Sequence, residues 1–259
     1  MSDSRVIFEK SVKGRIGVSL PESDVPEIPF TDTISPELLR DKPAELPEVS
    51  EPQVVRHYVN LSVKNHHIDR DFYPLGSCTM KYNPKINDAL ASLPGFANIH
   101  PDQPAETVQG ALHIMYELEQ MLLKISGMSD ATLQLCAGSQ GEFAGLLIMK
   151  KYHEKNEENR KYIIIPETAH GTNPASVVLS GFEPREIKSD KRGRVDIEDL
   201  KSKLDKEVAG MMLTQPNTLG LFEDEIIEIA KEIHQVGGLM YMDGANLNAM
   251  VGLCRPADM

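Results

Sequence analysis

Short apolar runs alternate with amphipathic stretches along the second half of the chain. The apolar runs predict strands at 131–136, 162–166, 184–188, 208–214 and 238–243. The amphipathic stretches predict helices at 140–152, 173–180, 196–206 and 223–236. Strands that alternate with helices of this length indicate an α/β domain with a mainly parallel sheet. Ligands of such sheets bind beyond the carboxyl ends of the strands, so we expect the chemistry there.

A further helix is predicted just before this domain. Apolar residues recur there at steps of three and four, at Val108, Ala111, Leu112, Met115, Leu118, Met121, Leu122 and Ile125. This spacing is typical of a helix with one apolar face. Gly127 follows the last of them and is predicted to end the helix.

The pattern divides the chain into three segments. Residues 1–60 form a proline-rich acidic arm, because prolines favour extended backbone over helix. This arm is either a disordered acidic tail or a segment that wraps around a partner subunit. Residues 61–130 are a loop-rich segment and the helix that leads into the core. Residues 131–259 form the amino-terminal part of the large domain.

Composition narrows the classes of protein that fit. The chain has 259 residues, a net charge of −12, 41% apolar and 25% charged residues, which is ordinary for a globular protein. The negative charge argues against nucleic acid or an anionic membrane as a partner. No apolar run approaches the ~20 residues that span a bilayer. Three cysteines without a framework spacing indicate free thiols, so we expect a cytoplasmic protein.

A glycine-containing turn opens the helix predicted after 131–136. Residues 138–141 read Gly138-Ser139-Gln140-Gly141. Free backbone N–H groups and the positive end of the helix dipole suit a phosphate, and the Ser139 hydroxyl is a further donor. The alternative is a tight strand-to-helix turn that needs glycine. The pattern matches neither the dinucleotide fingerprint nor a Walker loop.

Two further polar side chains follow predicted strands. His170 lies in a turn beyond the strand at 162–166, where its flat ring could stack on a pyridine ring or bond to the backbone as an ordinary turn residue. Asp243 ends the strand at 238–243, where its carboxylate could keep a pyridine nitrogen protonated. A magnesium-binding or helix-capping aspartate is the alternative. Small Ala245 would let a ring lie flat against the backbone.

A phosphate turn, an imidazole and a strand-end carboxylate in this order suit pyridoxal 5'-phosphate. That cofactor also needs a lysine for its Schiff base, and residues 244–259 contain none. We therefore expect the chain to stop before its covalent attachment site. The adjacent histidines 66 and 67 predict no metal site, because neighbouring side chains point different ways and no ligand cluster is nearby.

Four stretches together closely resemble the glycine decarboxylase P-protein family. They are 72–84 (FYPLGSCTMKYNP), 169–176 (AHGTNPAS), 213–218 (LTQPNT) and 241–246 (YMDGAN). The match is to the second (β) subunit of the two-subunit bacterial form and extends from the arm to the last residues. In that family the lysine follows shortly after the point at which this chain stops.

The resemblance implies a fold-type-I pyridoxal-phosphate-dependent transferase large domain, incomplete at its carboxyl end. It implies that Asp243 holds the pyridine nitrogen and that His170 stacks on the ring opposite Ala245. Ser139 and Gln140 would bind the phosphate. Thr214 and Asn217 would lie at the cofactor's hydroxyl side. Cys78, Thr79 and Met80 would line the substrate mouth.

The implied function is that of an enzyme of the glycine cleavage system, glycine dehydrogenase (aminomethyl-transferring). Glycine would lose its carboxylate as carbon dioxide, and the aminomethyl group would pass to the lipoyl arm of H-protein. The implied assembly is a heterotetramer with a homologous α-type subunit, and this chain alone would be inactive. The alternative is a non-catalytic subunit that only supports its partner; retention of both Asp243 and His170 argues against it. A nucleotide-binding α/β domain ranks last, because its fingerprint is missing.

Overall fold

Helices supply the regular structure of the first half of the chain. The computed structural model describes residues 5–66, 68–72 and 82–259. The helices of this half are α1 (Glu51–Ser62), α2 (Lys85–Ala91), α3 (Pro94–Ala97) and α4 (Gln109–Ser126). The chain divides into two units; the described residues through Phe72, with Tyr82, belong to the first, and residues 83–259 belong to the second.

Among its described residues, the first unit contains one α-helix and a chain segment that folds back on its start. The Arg15 guanidinium donates to Oε1 of Gln53 (2.7 Å), and the Val12 amide donates to the carbonyl of Glu48 (2.9 Å). Helix α1 begins after Ser50, whose backbone amide and hydroxyl both donate to Gln53 Oε1, as in a capping box. A helix thus begins within the segment for which an extended arm is predicted.

Helix α4 forms where the apolar spacing predicts it and ends at the predicted residue. Gly127 has φ of 76°, a left-handed conformation that glycine adopts without steric cost, and its amide donates to the carbonyl of Leu123. No helix of the described residues is both long enough and apolar enough to cross a membrane.

The second half of the chain alternates helices with strands. After α4 come α5 (Gly138–Lys155), β1 (Tyr162–Pro166), α6 (Thr172–Leu179), β2 (Glu183–Ile187), α7 (Ile197–Ser202), β3 (Val208–Thr214), α8 (Ile226–Gln235) and β4 (Leu239–Asp243). Within the described ranges the strands form one sheet in the order β2-β1-β3-β4, and each neighbouring pair is parallel. The predicted α/β class with a parallel sheet is confirmed.

The prediction of a strand at 131–136 is wrong. These residues lead into α5 without strand structure, and they pair with none of the four strands. Their sequence is apolar enough for a strand, but a strand forms only where a neighbour completes its hydrogen bonds. The predicted turn at 138–141 belongs to the helix itself, because α5 begins at Gly138.

Helices cover the sheet on both faces, because successive side chains of a strand point to opposite sides. Ile163 and Ile165 of β1 pack in one buried cluster with Leu146 of α5 and Val177 of α6. Ile164, between them, packs in the other cluster. That cluster also holds residues of α7 and α8, namely Leu200, Ile226, Ile229 and Ile233. The result is a three-layer arrangement in which β1 and β3 are buried on both sides.

Helix α5 approaches β4 closely at a glycine. A Cβ at Gly145 would lie 2.4 Å from Cε2 of Tyr241. This approach places the first turns of α5 over the carboxyl half of β4. It therefore brings the start of α5 to the edge of the sheet at which Asp243 ends β4.

Candidate cofactor-binding site

Asp243 is held at the end of β4 by hydrogen bonds to both carboxylate oxygens. The Asn173 side-chain amide donates to Oδ2 (3.1 Å), and the Ala245 backbone amide donates to Oδ1 (3.0 Å). Thr214 ends the neighbouring strand β3 and is the register partner of Asp243. The carboxylate therefore occupies the carboxyl edge of the sheet, where a ligand of a parallel sheet is expected.

His170 lies in the turn before α6 and bonds to that helix's first residue. Its Nδ1 lies 2.7 Å from Oγ1 of Thr172, and the Thr172 hydroxyl donates to Oε1 of Glu142 (2.7 Å). The Ser176 hydroxyl, one helical turn later, donates to Oε2 of the same glutamate (2.9 Å). Glu142 is buried on α5, so these bonds tie the starts of α5 and α6 together.

The first turn of α6 connects His170 with Asp243. The Asn173 backbone amide donates to the carbonyl of His170 (2.9 Å), while its side-chain amide reaches Asp243. Asn173 thus hydrogen-bonds both to the backbone of His170 and to the carboxylate of Asp243. The sequence pattern placed both at strand ends, but it did not identify Asn173 as the residue between them.

A phosphate-binding turn is predicted at residues 138–141, which form the start of α5. Ser139 is exposed, and a Cβ at Gly138 would meet no atom within 4 Å. The Gln140 side chain accepts a hydrogen bond from the Cys136 amide (2.8 Å), so its oxygen fastens the turn from within. Helix α5 has 18 residues, and its dipole favours an anion near these first amides.

The electrostatics of the site are dominated by its carboxylates. Burial, followed by the negative charges of Asp243 and Glu142, raises the pKa of the Tyr241 hydroxyl to about 12. Tyr241 is therefore neutral at physiological pH.

Thr214 and Asn217 differ in the bonds that they already make. The Thr214 hydroxyl is buried and has no hydrogen-bond partner among the described residues. Asn217 donates to Gly193 and Glu223 (3.0 and 3.1 Å), and its oxygen accepts from the amides of Leu219 and Leu221. Asn217 therefore holds the loop after β3, whereas Thr214 has a hydroxyl to offer to a ligand.

The remaining predicted site residues cannot be placed. Cys78, Thr79 and Met80, predicted at the substrate mouth, lie outside the described residues, as does His67. In the part of the chain that the structure describes, no group of three or more histidine, cysteine or acidic side chains is arranged to hold a metal ion.

Sequence reasoning did not identify Glu142, Thr172 or Asn173 as site residues. One signal was available: Thr172 and Ser176 are four residues apart and so share a helix face. Two hydroxyls on one face of a helix predict a buried polar partner opposite them. The identity of that partner as Glu142 follows only from how α5 packs on α6.

Comparison with known proteins assigns the family. The family model described as "Glycine cleavage system P-protein" matches residues 22–259. The chain belongs to this family. A relative from Caldanaerobacter subterraneus, "Probable glycine dehydrogenase (decarboxylating) subunit 2", is 58% identical over 98% of this chain and 53% of its own length. A relative of the same name from Thermotoga petrophila is 58% identical over 98% of this chain and 52% of its own length. This P-protein family chain thus spans about half the length of the curated relatives it matches.

Solved structures agree on the fold. A glycine decarboxylase (P-protein) in inhibitor-bound form superposes with a TM-score of 0.63, 22% identity, and coverage of 82% of this chain and 47% of that one. The sphingosine-1-phosphate lyase of Burkholderia pseudomallei gives 0.55, 14% identity, and coverage of 82% and 51%. At these identities the likeness concerns the fold alone. The chain has the fold of the fold-type-I pyridoxal-phosphate-dependent enzymes.

Proposed function

We propose that this chain supplies part of the pyridoxal-phosphate site of a glycine-cleaving P-protein. One observation carries the proposal. Asp243 lies at the end of β4 with both oxygens hydrogen-bonded, and one short turn connects it to His170. A fixed carboxylate at this edge of the sheet, joined through Asn173 to the turn that carries His170, suits a pyridine ring. The family membership supports the same cofactor.

Each predicted residue then has a physical role. Asp243 would hold the proton on the ring nitrogen, and the bound cofactor would supply the electron sink that makes loss of carbon dioxide from glycine possible. His170 would stack on one ring face, with Ala245 against the other. The Ser139 hydroxyl and the first amides of α5 would bind the phosphate.

Two further features support the fit of the cofactor. The buried Thr214 hydroxyl and the buried Asn173 side-chain oxygen have no partner among the described residues. Buried polar atoms are rarely left unpaired in proteins, so a ligand or water that completes their bonds is expected. Asn217, whose bonds are complete within the loop after β3, is the weaker candidate for a contact with the cofactor's hydroxyl side.

The proposal extends to partners. A companion P-protein subunit would complete the assembly, as the relatives' designation "subunit 2" suggests. A lipoylated H-protein would accept the aminomethyl group, as the family resemblance implies. The arm at 1–60 would pack against that companion, and Cys78, Thr79 and Met80 would line the substrate mouth. Residues 131–259 would be the amino-terminal part of the cofactor-binding domain.

Carbon dioxide release tests the proposal directly. We would measure glycine-dependent release in the protein that carries these residues, together with its companion subunit and lipoylated H-protein. Asp243→Asn should lower the rate on the order of 10²-fold, the typical loss when one preorganised electrostatic partner is removed. The control Asp102→Asn changes an exposed aspartate and should have no effect.

Two results would contradict the proposal. The first is a wild-type rate for Asp243→Asn, which would remove the carboxylate from the chemistry. The second is a wild-type assembly that neither binds pyridoxal phosphate nor releases carbon dioxide from glycine. That outcome would favour a supporting, non-catalytic subunit.

A further inference from the structure

Glu142 is a buried carboxylate that the proposed chemistry does not use. Only 6% of its surface is exposed. Its two oxygens each accept a hydroxyl proton, Oε1 from Thr172 (2.7 Å) and Oε2 from Ser176 (2.9 Å). Burying a carboxylate costs free energy unless hydrogen bonds compensate the loss of hydration. The two hydroxyls supply these bonds to Glu142, so its place in the fold depends on Thr172 and Ser176.

The direction of these bonds determines where the proton of His170 lies. The Thr172 hydroxyl has one proton, and it is donated to Glu142. The hydroxyl oxygen can therefore only accept from Nδ1 of His170, 2.7 Å away. The Thr172 backbone amide also lies within hydrogen-bonding distance of Nδ1 (3.4 Å), and in that longer contact Nδ1 is the acceptor. The contact with the hydroxyl is the shorter of the two, so it favours the tautomer in which Nδ1 carries the proton.

We propose that Glu142 is a positioning residue that fixes the orientation and the tautomer of His170 through Thr172. The proposal rests on the proposed function, because His170 matters here as the residue stacked on the cofactor. With Nδ1 protonated, a neutral His170 presents Nε2 as its acceptor nitrogen. Nε2 hydrogen-bonds to no other described residue, so it remains available to a ligand.

The hydrogen bonds from Glu142 through Thr172 to His170 are called the relay here. The exposure of His170 gives a physical reason for it. The imidazole lies in an exposed turn, and its hydrogen bonds to described residues are those with Thr172. A buried glutamate is fixed by packing, and Ser176 adds a second bond to the same carboxylate. Through the relay, the fixed position of Glu142 restricts the orientation of the His170 ring at the surface of the site. Hydrogen-bond partners orient metal-bound histidines in the same way.

Two hydroxyls on one carboxylate provide a matched pair of variants. Thr172→Val and Ser176→Ala each remove one hydrogen bond to Glu142, but only the first interrupts the chain to His170. Thr172→Ser keeps the hydroxyl and serves as the conservative variant. The ¹⁵N resonances of the His170 ring report its tautomer, and they are recorded without cofactor in alkaline buffer.

The ¹⁵N measurement should give a different His170 tautomer in Thr172→Val than in the other variants. In the wild type, Thr172→Ser and Ser176→Ala, Nδ1 should give the resonance of a protonated nitrogen. In Thr172→Val the backbone amide is the remaining neighbour, so Nδ1 should become the acceptor and the proton should move to Nε2. An unchanged tautomer in Thr172→Val would overturn the proposal, even if glycine cleavage is demonstrated.

Affinity for pyridoxal phosphate gives an independent readout. Thr172→Val should weaken binding about five- to tenfold, the effect of losing one hydrogen bond of ordinary net strength. Glu142→Ala should weaken it similarly, and the double variant should show no further loss, because both changes interrupt one chain. Ser176→Ala should weaken binding less than Thr172→Val does, because it leaves the hydrogen bonds between Glu142, Thr172 and His170 intact.

Two results would overturn the proposal on this readout. Additive losses for Glu142→Ala and Thr172→Val would mean independent roles, and equal losses for Ser176→Ala and Thr172→Val would mean a general effect on packing. If Glu142→Ala does not fold, the comparison of Thr172→Val with Thr172→Ser decides. A protein that binds no cofactor would refute the proposed function, while the tautomer measurement would still decide the relay.

Discussion

The side-chain amide of Asn173 donates a hydrogen bond of 3.1 Å to Oδ2 of Asp243. It joins the first turn of α6 to the end of β4. Asn173 is completely buried, so the bond is protected from competition with water. Asp243 owes its orientation to this contact and to the backbone amide of Ala245.

Removing the amide should affect both stability and cofactor binding. Asn173→Ala leaves Asp243 Oδ2 without its donor and should lower the free energy of unfolding by about 1–3 kcal/mol. Asn173→Asp should cost more, because it replaces the donor by a second carboxylate beside Asp243. Urea unfolding measures both. Equal stability of the two variants would contradict a direct bond to a charged Asp243.

The contact between Gly145 and Tyr241 predicts a large effect from one methyl group. Gly145→Ala should lower the free energy of unfolding by about 1–3 kcal/mol, because the new Cβ overlaps the tyrosine ring. The control is Gly110→Ala on α4, where a Cβ meets nothing within 4 Å. That variant should be neutral or slightly stabilising, since alanine favours helix. Similar thermal midpoints for both variants would show that α5 does not approach β4 so closely.

Stability in acid should depend on Glu158. Its hydrogen bond from Arg160, followed by that from His153, lowers its pKa from 4.5 to about 2. A lowered pKa in the folded state stabilises the fold above the unfolded value, and this contribution is lost as the pH falls from about 4.5 to about 2. Glu158→Gln should therefore be less stable than the wild type near neutral pH.

The difference between the wild type and Glu158→Gln should then shrink through that acid range, as followed by urea midpoints at each pH. Glu157→Gln is the control, because its carboxylate pairs with no residue in the described part of the chain. A difference that stays constant from pH 6 to pH 2 would rule out a pKa lowered by these contacts.

Variants at Thr214 and Asn217 should affect stability and cofactor binding differently. Thr214→Val removes a buried hydroxyl that has no partner among the described residues, so stability should be unchanged or slightly higher. Its affinity for pyridoxal phosphate should fall if the hydroxyl contacts the cofactor. Asn217→Ala loses the bonds that hold the loop after β3 and should cost about 2–4 kcal/mol by urea unfolding. A stable Asn217→Ala that binds no cofactor would assign Asn217 to the ligand instead.

Local pattern predicted most of the second half of the chain. The strands at 162–166 and 208–214 have the predicted bounds, the strand predicted at 184–188 is shifted by one residue to 183–187, and that predicted at 238–243 begins one residue later. The helices occur where predicted, with shifted ends, because caps and packing rather than periodicity decide the last turn. Residues 131–136 show the limit. They have the composition of a strand, but whether a neighbouring strand pairs with them depends on the rest of the fold and not on these six residues.

The sequence by itself determined the α/β class, the family and the strand-end positions of His170 and Asp243, because these depend on local pattern and on motifs. Only the tertiary structure decided that Asn173 joins them and that Glu142 reaches His170 through Thr172. The bond between Asn173 and Asp243 spans 70 positions, and the bond between Thr172 and Glu142 spans 30. Their geometry depends on how α5 and α6 pack on the sheet, and no local pattern encodes that packing.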